Sequence, residues 1–275
     1  MKKIQCDLCP RFCNLAYGEL GFCQARINEK ERIKSLSYGK ILSLALDPIE
    51  KKPFAFYKPG SKILSISSFG CNMACPFCQN HWLARASADQ YPSYELSSEE
   101  LIDRAIWAKR YGNIGICFTY NEPLINFEYI LKTAKKAKEK NLDMILVSNG
   151  QINPNYLEDL LGWIDAWNID LKCFSKEGYA FLGGNFKSVL DTITKVSQSA
   201  HLEVTTLVVP GLSDNLDLFR KEVDFLRHLR PQPVLHITRY FPNYHYHQDA
   251  TDPKLLFKMQ DIAKEYLSRV VVGNL

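Results

Sequence analysis

The sequence lacks a long apolar run, because the uncharged stretch of residues 63–84 still contains a proline, two asparagines, a glutamine and three serines. Such a stretch does not predict a membrane span. The start Met1-Lys2-Lys3 lacks the apolar core of a secretory signal, so we expect a cytoplasmic protein. A large excess of either charge is also missing, since 34 Lys and Arg residues face 30 Asp and Glu residues and are dispersed along the chain. This argues against nucleic acid as an obligatory partner.

Size and composition indicate one large domain. The 275 residues are 46% hydrophobic, which is enough for one sizeable core, and α/β barrels of this length fold as single domains. We therefore expect a main domain at residues 63–275. A small cysteine-rich segment with a crossover, residues 1–62, is predicted to pack on it.

Cysteine is abundant, and seven of the nine cysteines fall into two sets. In a reducing compartment such sets indicate metal binding or catalysis rather than disulfides. The first set is spaced C-x2-C-x3-C-x9-C and consists of Cys6, Cys9, Cys13 and Cys23. Four thiolates close the shell of a structural Zn²⁺ ion or hold a complete iron–sulfur cluster, and the alternative is free or redox-active thiols.

The second set is Cys71, Cys75 and Cys78, spaced C-x3-C-x2-C, in a loop after the apolar run of residues 63–69. Gly70 supplies the turn into this loop. A [4Fe-4S] cluster has four irons, whereas the loop offers three thiolates, so one iron is left for another ligand. This predicts a reactive cluster. A zinc knuckle that lacks one ligand, or cysteines that only fill space, are the competing interpretations.

Short apolar strands alternate with amphipathic helices from Ile63 onward. The predicted strands are residues 63–69, 115–119, 143–148, 166–171, 202–209, 235–238 and 270–272. Helical connections between successive strands imply parallel pairing with right-handed crossovers. Six or seven such units are too few for a closed eightfold barrel, so we predict an α/β fold with an open, partial TIM-like barrel. A doubly wound sheet is the alternative, but no glycine-rich dinucleotide fingerprint follows any strand.

Polar residues cluster where the predicted strands end. Thr119 to Pro123 follow the second strand, and Ser148-Asn149-Gly150 follow the third. Asp170 and Lys172 close the fourth strand and share one face, because side chains two residues apart in a strand point the same way. Ligands of parallel α/β folds bind at these carboxyl ends, and a carboxylate beside an ammonium suits a zwitterionic ligand.

Cysteines spaced C-x3-C-x2-C with an aromatic residue, Phe77, before the last one resemble the motif of the radical S-adenosylmethionine (SAM) superfamily. Residues 70–80, Gly-Cys-Asn-Met-Ala-Cys-Pro-Phe-Cys-Gln-Asn, are similar to the activating enzymes of glycyl-radical enzymes such as pyruvate formate-lyase. They are more similar to the radical SAM enzymes of the AmmeMemoRadiSam system. The resemblance implies a (β/α)6 core and a [4Fe-4S] cluster on Cys71, Cys75 and Cys78 whose open iron chelates SAM. One-electron cleavage of SAM then yields methionine and a 5′-deoxyadenosyl radical that abstracts hydrogen from the substrate.

The resemblance also implies cofactor contacts. Residues 120–123, Tyr-Asn-Glu-Pro, stand where activating enzymes have Gly-Gly-Glu-Pro, which holds the SAM amino group. Glu122 and Asn121 are therefore candidate SAM contacts, as is Asn149 at the next strand end. Asp170-Leu171-Lys172 matches the family's Asp-x-Lys pair, expected near the methionyl and ribose groups.

Two further regions carry expectations of their own. His236 and Arg239 lie three apart on one predicted strand, and Arg239, nearer the carboxyl end, is the favoured substrate or cofactor contact. Residues 47–53, Asp-Pro-Ile-Glu-Lys-Lys-Pro, are predicted to form a proline-stiffened loop with Lys51 and Lys52 on a solvated surface. The same phrase resembles the AmmeMemoRadiSam relatives, and this resemblance implies, as the alternative, that it contacts cofactor or substrate.

The implied partners are a reductant such as flavodoxin or ferredoxin and a protein substrate, as in glycyl-radical activation. A small molecule or another macromolecule as substrate fits the sequence equally well. The competing hypothesis from another class is a non-catalytic scaffold protein in which both cysteine sets bind structural zinc. Many of the similar proteins continue into a further cysteine-bearing tail beyond the position of Leu275.

Overall fold

The computed structural model describes residues 2–275, which form fourteen β-strands and eight α-helices. The strands are β1 Ile4–Gln5, β2 Asn14–Leu15, β3 Arg26–Glu29, β4 Arg32–Ser35, β5 Lys40–Ile41, β6 Ser43–Pro48, β7 Lys62–Ser67, β8 Tyr94–Glu95, β9 Asn113–Phe118, β10 Asp143–Ser148, β11 Ala166–Asp170, β12 His201–Val208, β13 Val234–Arg239 and β14 Val270–Gly273. The helices are α1 His81–Ala84, α2 Ser98–Ala108, α3 Phe127–Glu139, α4 Pro154–Leu160, α5 Lys176–Phe181, α6 Phe186–Ser197, α7 Leu216–Arg227 and α8 Pro253–Lys264. No helix within residues 2–275 is long and apolar enough to cross a membrane.

Eight strands form the main sheet in the order β14-β13-β12-β11-β10-β9-β7-β6. Seven of them run parallel, and β6 pairs antiparallel with β7 at one edge. The two edge strands, β14 and β6, are not hydrogen-bonded to each other within the described chain, so the sheet stays open between them. This confirms the predicted partial TIM-like barrel of parallel strands. It also places β6, from the cysteine-rich N-terminal segment, in the main sheet.

Local sequence signals explain the helices around the sheet. The Ser97 hydroxyl accepts a hydrogen bond from the Glu100 amide, and the Glu100 carboxylate accepts one from the Ser97 amide, which is the capping box that begins α2. Apolar periodicity did not predict α5, because six residues are too few for a periodic pattern. This helix begins after Ser175, whose hydroxyl accepts a 2.9 Å hydrogen bond from the Gly178 amide.

The chain that follows β6 closes the amino end of the barrel. Because β6 runs antiparallel to β7, it ends beside the start of the parallel strands. Residues 49–57, here called the floor segment, fold under the barrel at this end. Ile49 and Phe54 are fully buried there against inward side chains of β7, β9 and β10. Lys52 is only 2% exposed, so the predicted solvated surface is wrong at this residue, whereas Lys51 is exposed.

Polar side chains from two strands hold the floor segment in place. The Asn168 amide on β11 donates a 2.7 Å hydrogen bond to the carbonyl of Pro53. On β12, the fully buried carboxylate of Glu203 accepts hydrogen bonds from the backbone amides of Ala55 and Phe56, both at 2.9 Å. These contacts fix the height at which the segment sits in the barrel.

Candidate active site

Cys71, Cys75 and Cys78 lie in the loop that follows β7, at the carboxyl end of the barrel. Gly70 opens this loop with a φ of +90°, in the left-handed region that favours glycine. A Cβ at this position would lie 2.4 Å from the carbonyl oxygen of Cys23. The position therefore requires glycine, and the first cysteine segment packs directly against the start of the second.

The three thiols have hydrogen-bond donors and positive charge around them. The Met73 amide donates to Cys71 Sγ at 3.4 Å, and the Asn149 side-chain amide approaches the same sulfur at 3.7 Å. Burial raises the pKa of all three thiols, that of Cys75 to about 11, and the nearby ammonium of Lys172 opposes this rise at Cys75. No group of three or more His, Cys, Asp or Glu side chains within residues 2–275 is arranged to hold one metal ion. A [4Fe-4S] cluster instead takes each thiolate on a separate iron, and three thiols fit it with one iron left for another ligand.

A cavity of about 390 Å³ lies beside this loop, within the range of small-molecule sites. All three cysteines line it, together with side chains from neighbouring strand ends. The predicted site residues in its wall are Asn121, Glu122, Asn149, Asp170 and Lys172. The structure therefore brings together residues from four separate parts of the sequence.

Glu122 is the most buried acid of the cavity wall, at 3% exposure. Its carboxylate accepts hydrogen bonds from the Ser148 hydroxyl at 2.7 Å and from the backbone amides of Asn149 and Leu124 at 2.8 and 2.9 Å. Burial nevertheless raises the pKa of Glu122 to about 7, because desolvation outweighs these donors. A positively charged ligand group in the cavity would lower this pKa and hold the carboxylate ionised.

Asp170 and Lys172 form an ion pair at the end of β11, with 2.6 Å between Asp170 Oδ2 and Lys172 Nζ. Burial alone would lower the pKa of Lys172, but the charges of Asp170 and Cys75 outweigh it and hold the pKa above its usual range. Lys172 thus stays an ammonium ion beside the cysteine loop. The prediction that these two side chains share one face is confirmed by their contact.

The two asparagines of the wall brace the cysteine loop. The Asn121 side chain accepts a 3.0 Å hydrogen bond from the Ser68 amide and donates one to the Gly70 carbonyl at 3.2 Å. The Asn149 side-chain amide donates to Asn72 Oδ1 at 2.9 Å. Both side chains therefore hold the loop that carries the cysteines by hydrogen bonds.

Arg239 does not join the other predicted residues. Thr238 lines the cavity, so the next side chain along β13 points to the opposite face of the sheet. The Arg239 guanidinium donates a 2.8 Å hydrogen bond to the Thr251 carbonyl and lies over the ring of Phe241, 4.7 Å from its centroid. Arg239 does lie near the carboxyl end of β13, as predicted. Because side chains alternate along a strand, however, its side chain points away from the site.

Sequence reasoning missed three residues that meet on one side of the cavity. Lys52 Nζ lies 2.7 Å from Asp47 Oδ2 and donates to the Tyr120 hydroxyl at 2.6 Å, and this hydroxyl donates to Asp47 Oδ2 at 2.8 Å. Burial alone would raise the pKa of Asp47, but the hydrogen bonds from Lys52 and Tyr120 outweigh it and lower that pKa. The sequence signal that could have pointed to Asp47 and Lys52 was the unusual phrase at residues 47–53.

The first cysteine set also converges. The pKa of Cys9 is raised to about 11, mainly by burial and further by the charges of the other three cysteines, Cys6, Cys13 and Cys23. All nine cysteines of the chain are free of disulfides. The four thiols therefore lie near enough to affect one another electrostatically, but within residues 2–275 they are not arranged around one metal position.

The family model of the radical SAM superfamily matches residues 65–226 of this chain. The chain is 34% identical to an uncharacterised protein of Methanocaldococcus jannaschii over 276 residues, which covers 99% of this chain and 81% of that protein. It is 25% identical to the pyruvate formate-lyase-activating enzyme of Clostridium pasteurianum, over 58% of this chain and 68% of that enzyme.

The fold has similar solved structures. One is Streptococcus suis SuiB bound to S-adenosylmethionine, with a TM-score of 0.59 and 14% sequence identity. The match covers 77% of this chain and 52% of SuiB. At this level of identity the similarity concerns the fold alone.

Proposed function

We propose, on the premise that this chain belongs to the radical SAM superfamily, that it cleaves SAM reductively at a [4Fe-4S] cluster held by Cys71, Cys75 and Cys78. The observation that carries the proposal is the single cavity lined by these three thiols, Glu122 and the Asp170–Lys172 pair. Family membership makes the protein an enzyme of SAM-dependent radical chemistry, which disfavours the non-catalytic zinc scaffold.

Different residues of the cavity bind different groups of SAM. When bound, the cluster supplies one electron to SAM, whose C5′–S bond breaks to give methionine and a 5′-deoxyadenosyl radical that takes a hydrogen atom from the substrate. Glu122 receives the SAM amino group, which keeps the buried carboxylate ionised. The Asp170–Lys172 pair binds the methionyl and ribose groups, since its two charges complement a zwitterion. Asn121 and Asn149 hold the cysteine loop beside the bound cofactor.

The substrate we propose is a protein glycine, as the similarity to an activating enzyme supports. A small molecule remains the second candidate. The electron comes from a reductant such as flavodoxin or ferredoxin. Transfer of deuterium from a labelled substrate into 5′-deoxyadenosine identifies the hydrogen donor directly.

We further propose that Cys6, Cys9, Cys13 and Cys23 hold a second metal site, either Zn²⁺ or an iron–sulfur cluster. The supporting observations are their C-x2-C-x3-C-x9-C spacing and the mutual electrostatic effect of the four thiols on the pKa of Cys9. Zinc, iron and sulfide analysis of anaerobically purified protein decides the metal. One zinc and four irons per chain would identify a zinc site at the first cysteine set, and eight irons without zinc would identify a second iron–sulfur cluster.

Anaerobic reconstitution followed by reduction tests the main proposal. We expect a brown protein that converts SAM into methionine and 5′-deoxyadenosine under dithionite. A verified [4Fe-4S] cluster that yields no 5′-deoxyadenosine would contradict it. A colourless protein with zinc at both cysteine sets would instead favour the scaffold hypothesis.

A further inference from the structure

Lys52, Asp47 and Tyr120, here called the lumen triad, form a closed set of contacts inside the barrel. The three distances between their polar atoms are 2.6 to 2.8 Å, as described for the cavity wall. Lys52 reaches the cavity from the floor segment, and Tyr120 reaches it from the end of β9. The triad thus lies on the side of the cavity that the proposed SAM contacts do not use.

The ammonium of Lys52 keeps one hydrogen-bond donor unused. An ammonium has three N–H donors, and within residues 2–275 Lys52 donates one to Tyr120 and has the Asp47 carboxylate 2.7 Å away as its ion-pair partner. The side chain is 98% buried and lines the cavity, so bulk water is a poor substitute partner. A buried charged group with an unused donor is costly unless a ligand supplies the acceptor.

The backbone at Tyr120 shows that the triad is held against local preference. Tyr120 has a φ of +73°, in the left-handed region that costs a non-glycine residue roughly 1 kcal/mol or more. Replacing a buried ion pair with apolar side chains is often neutral or stabilising, so stability alone does not require the triad. Strained residues of this kind concentrate at active sites, ligand clamps and switch regions.

The charges around the triad favour an anionic ligand group. Lys51 lines the same cavity and has no ion-pair partner in the described chain, whereas Lys52 is balanced by Asp47. At the other end of the cavity, Asp170 is paired with Lys172, and Glu122 is bound by backbone amides and a hydroxyl. The floor of the cavity therefore carries one positive charge in excess.

We propose that the lumen triad is a binding subsite for an oxyanion of the substrate, either an acidic side chain near the glycine of a protein or the carboxylate or phosphate of a small molecule, whose oxygen accepts the third N–H of Lys52. The inference rests on the proposed function, because it assigns the substrate end of the same cavity. Asp47 and Tyr120 position the ammonium, and Lys51 adds long-range attraction from the floor segment. The reacting carbon of the substrate would then lie between this subsite and C5′ of SAM.

The binding test uses reconstituted protein without SAM and two probes, inorganic phosphate and malonate, at ionic strength matched with chloride. We expect calorimetry to detect binding of one of them, and that probe indicates whether the substrate group is a phosphate or a carboxylate. Lys52→Gln should weaken this binding about tenfold or more, because a charge-assisted hydrogen bond is lost. Lys221→Gln, which removes an exposed lysine from α7, is the matched control and should leave it unchanged.

A second measurement keeps the test decisive if Lys52→Gln fails to fold. Crystals of the wild-type protein soaked in selenate should show an anomalous peak within hydrogen-bond distance of Lys52 Nζ. Tyr120→Phe should retain the peak, since it keeps the ammonium and frees a second donor. Selenate bound only elsewhere, or equal probe affinity in Lys52→Gln and wild type, would overturn the subsite. Neither probe binding nor the selenate peak requires SAM cleavage. Formation of 5′-deoxyadenosine therefore tests the proposed function separately from the subsite.

Discussion

The guanidinium of Arg11 donates a 2.6 Å hydrogen bond from Nε to the carbonyl oxygen of Asn72, the residue directly after the first cysteine of the proposed cluster loop. Its Nη2 donates to the carbonyl of Gly183, beyond the end of α5, and its carbon Cζ lies 3.3 Å from the ring centroid of Phe22. One side chain of the first cysteine segment thus ties that segment to the loop that carries the second cysteine set.

Arg11→Met should lower the free energy of unfolding by about 3 kcal/mol, since two hydrogen bonds from a charged donor are lost. It should also lower the iron content of the reconstituted protein, because Asn72 is no longer fixed beside Cys71. Anaerobic urea unfolding and iron analysis measure the two effects. Arg104→Met, on the exposed face of α2, is the control and should change neither. Normal iron content in Arg11→Met would show that the tie does not position the loop.

Replacing Cys71, Cys75 or Cys78 with Ala should abolish SAM cleavage. Each change removes one thiolate ligand, and within residues 2–275 no further cysteine lines the cavity to substitute for it. The measurement is 5′-deoxyadenosine formed per chain under dithionite. Cys117→Ala is the control, because this buried cysteine on β9 lies in the apolar layer above the floor segment. Cleavage that survives any of the three replacements would remove that residue from the cluster.

Glu122→Gln should retain the cluster and weaken SAM binding about tenfold or more, because a charge-assisted hydrogen bond to the amino group becomes a neutral one. Equilibrium binding of SAM to reconstituted protein measures the effect. Glu222→Gln is a matched control, since Glu222 on α7 is a second carboxyl with 2% exposure, and it bonds the Thr206 hydroxyl away from the cavity. Equal loss of SAM affinity in both variants would contradict a specific role for Glu122.

Much of the barrel and of the cysteine loop could be predicted because their signals are local. Alternation of short apolar strands with capped helices requires parallel strands, and the carboxyl ends of such strands collect ligands. The pairing of Asp170, the last residue of β11, with Lys172 followed from their spacing of two along the chain. The position of Glu122 beside the cysteines followed from its place after β9.

The lumen triad could not be predicted because its contacts depend on long-range geometry. Lys52 and Tyr120 are 68 residues apart, and they meet only because β6 runs antiparallel and delivers the floor segment under the barrel. Two adjacent lysines between prolines are normally solvated, which is why burial of one was not expected. For Arg239, the sequence correctly predicted the position near the end of a strand but did not predict the direction of the side chain, which bonds Thr251 away from the site.

Glu203 is the acid that fastens the floor segment, and its environment predicts a specific pH dependence. The fully buried carboxylate accepts hydrogen bonds from His201 at 2.9 Å, from His236 and from the two backbone amides of the floor segment. Burial alone would raise the pKa of Glu203, but these hydrogen bonds outweigh it and lower the pKa from 4.5 to about 2.

A lowered carboxyl pKa contributes stability that is complete above the unfolded value and is lost as pH falls from about 4.5 towards 2, here about 3 kcal/mol in total. Glu203→Gln should therefore lower the free energy of unfolding most above pH 4.5, and progressively less as pH falls below 4.5. Urea unfolding of both proteins from pH 7 to pH 3.5 measures the difference. Glu222→Gln is the matched control of opposite sign, because burial raises the pKa of Glu222 to about 8 and its ionisation destabilises the fold as pH rises. A Glu203→Gln cost that does not shrink below pH 4.5 would mean that its hydrogen bonds, rather than its charge, hold the floor segment.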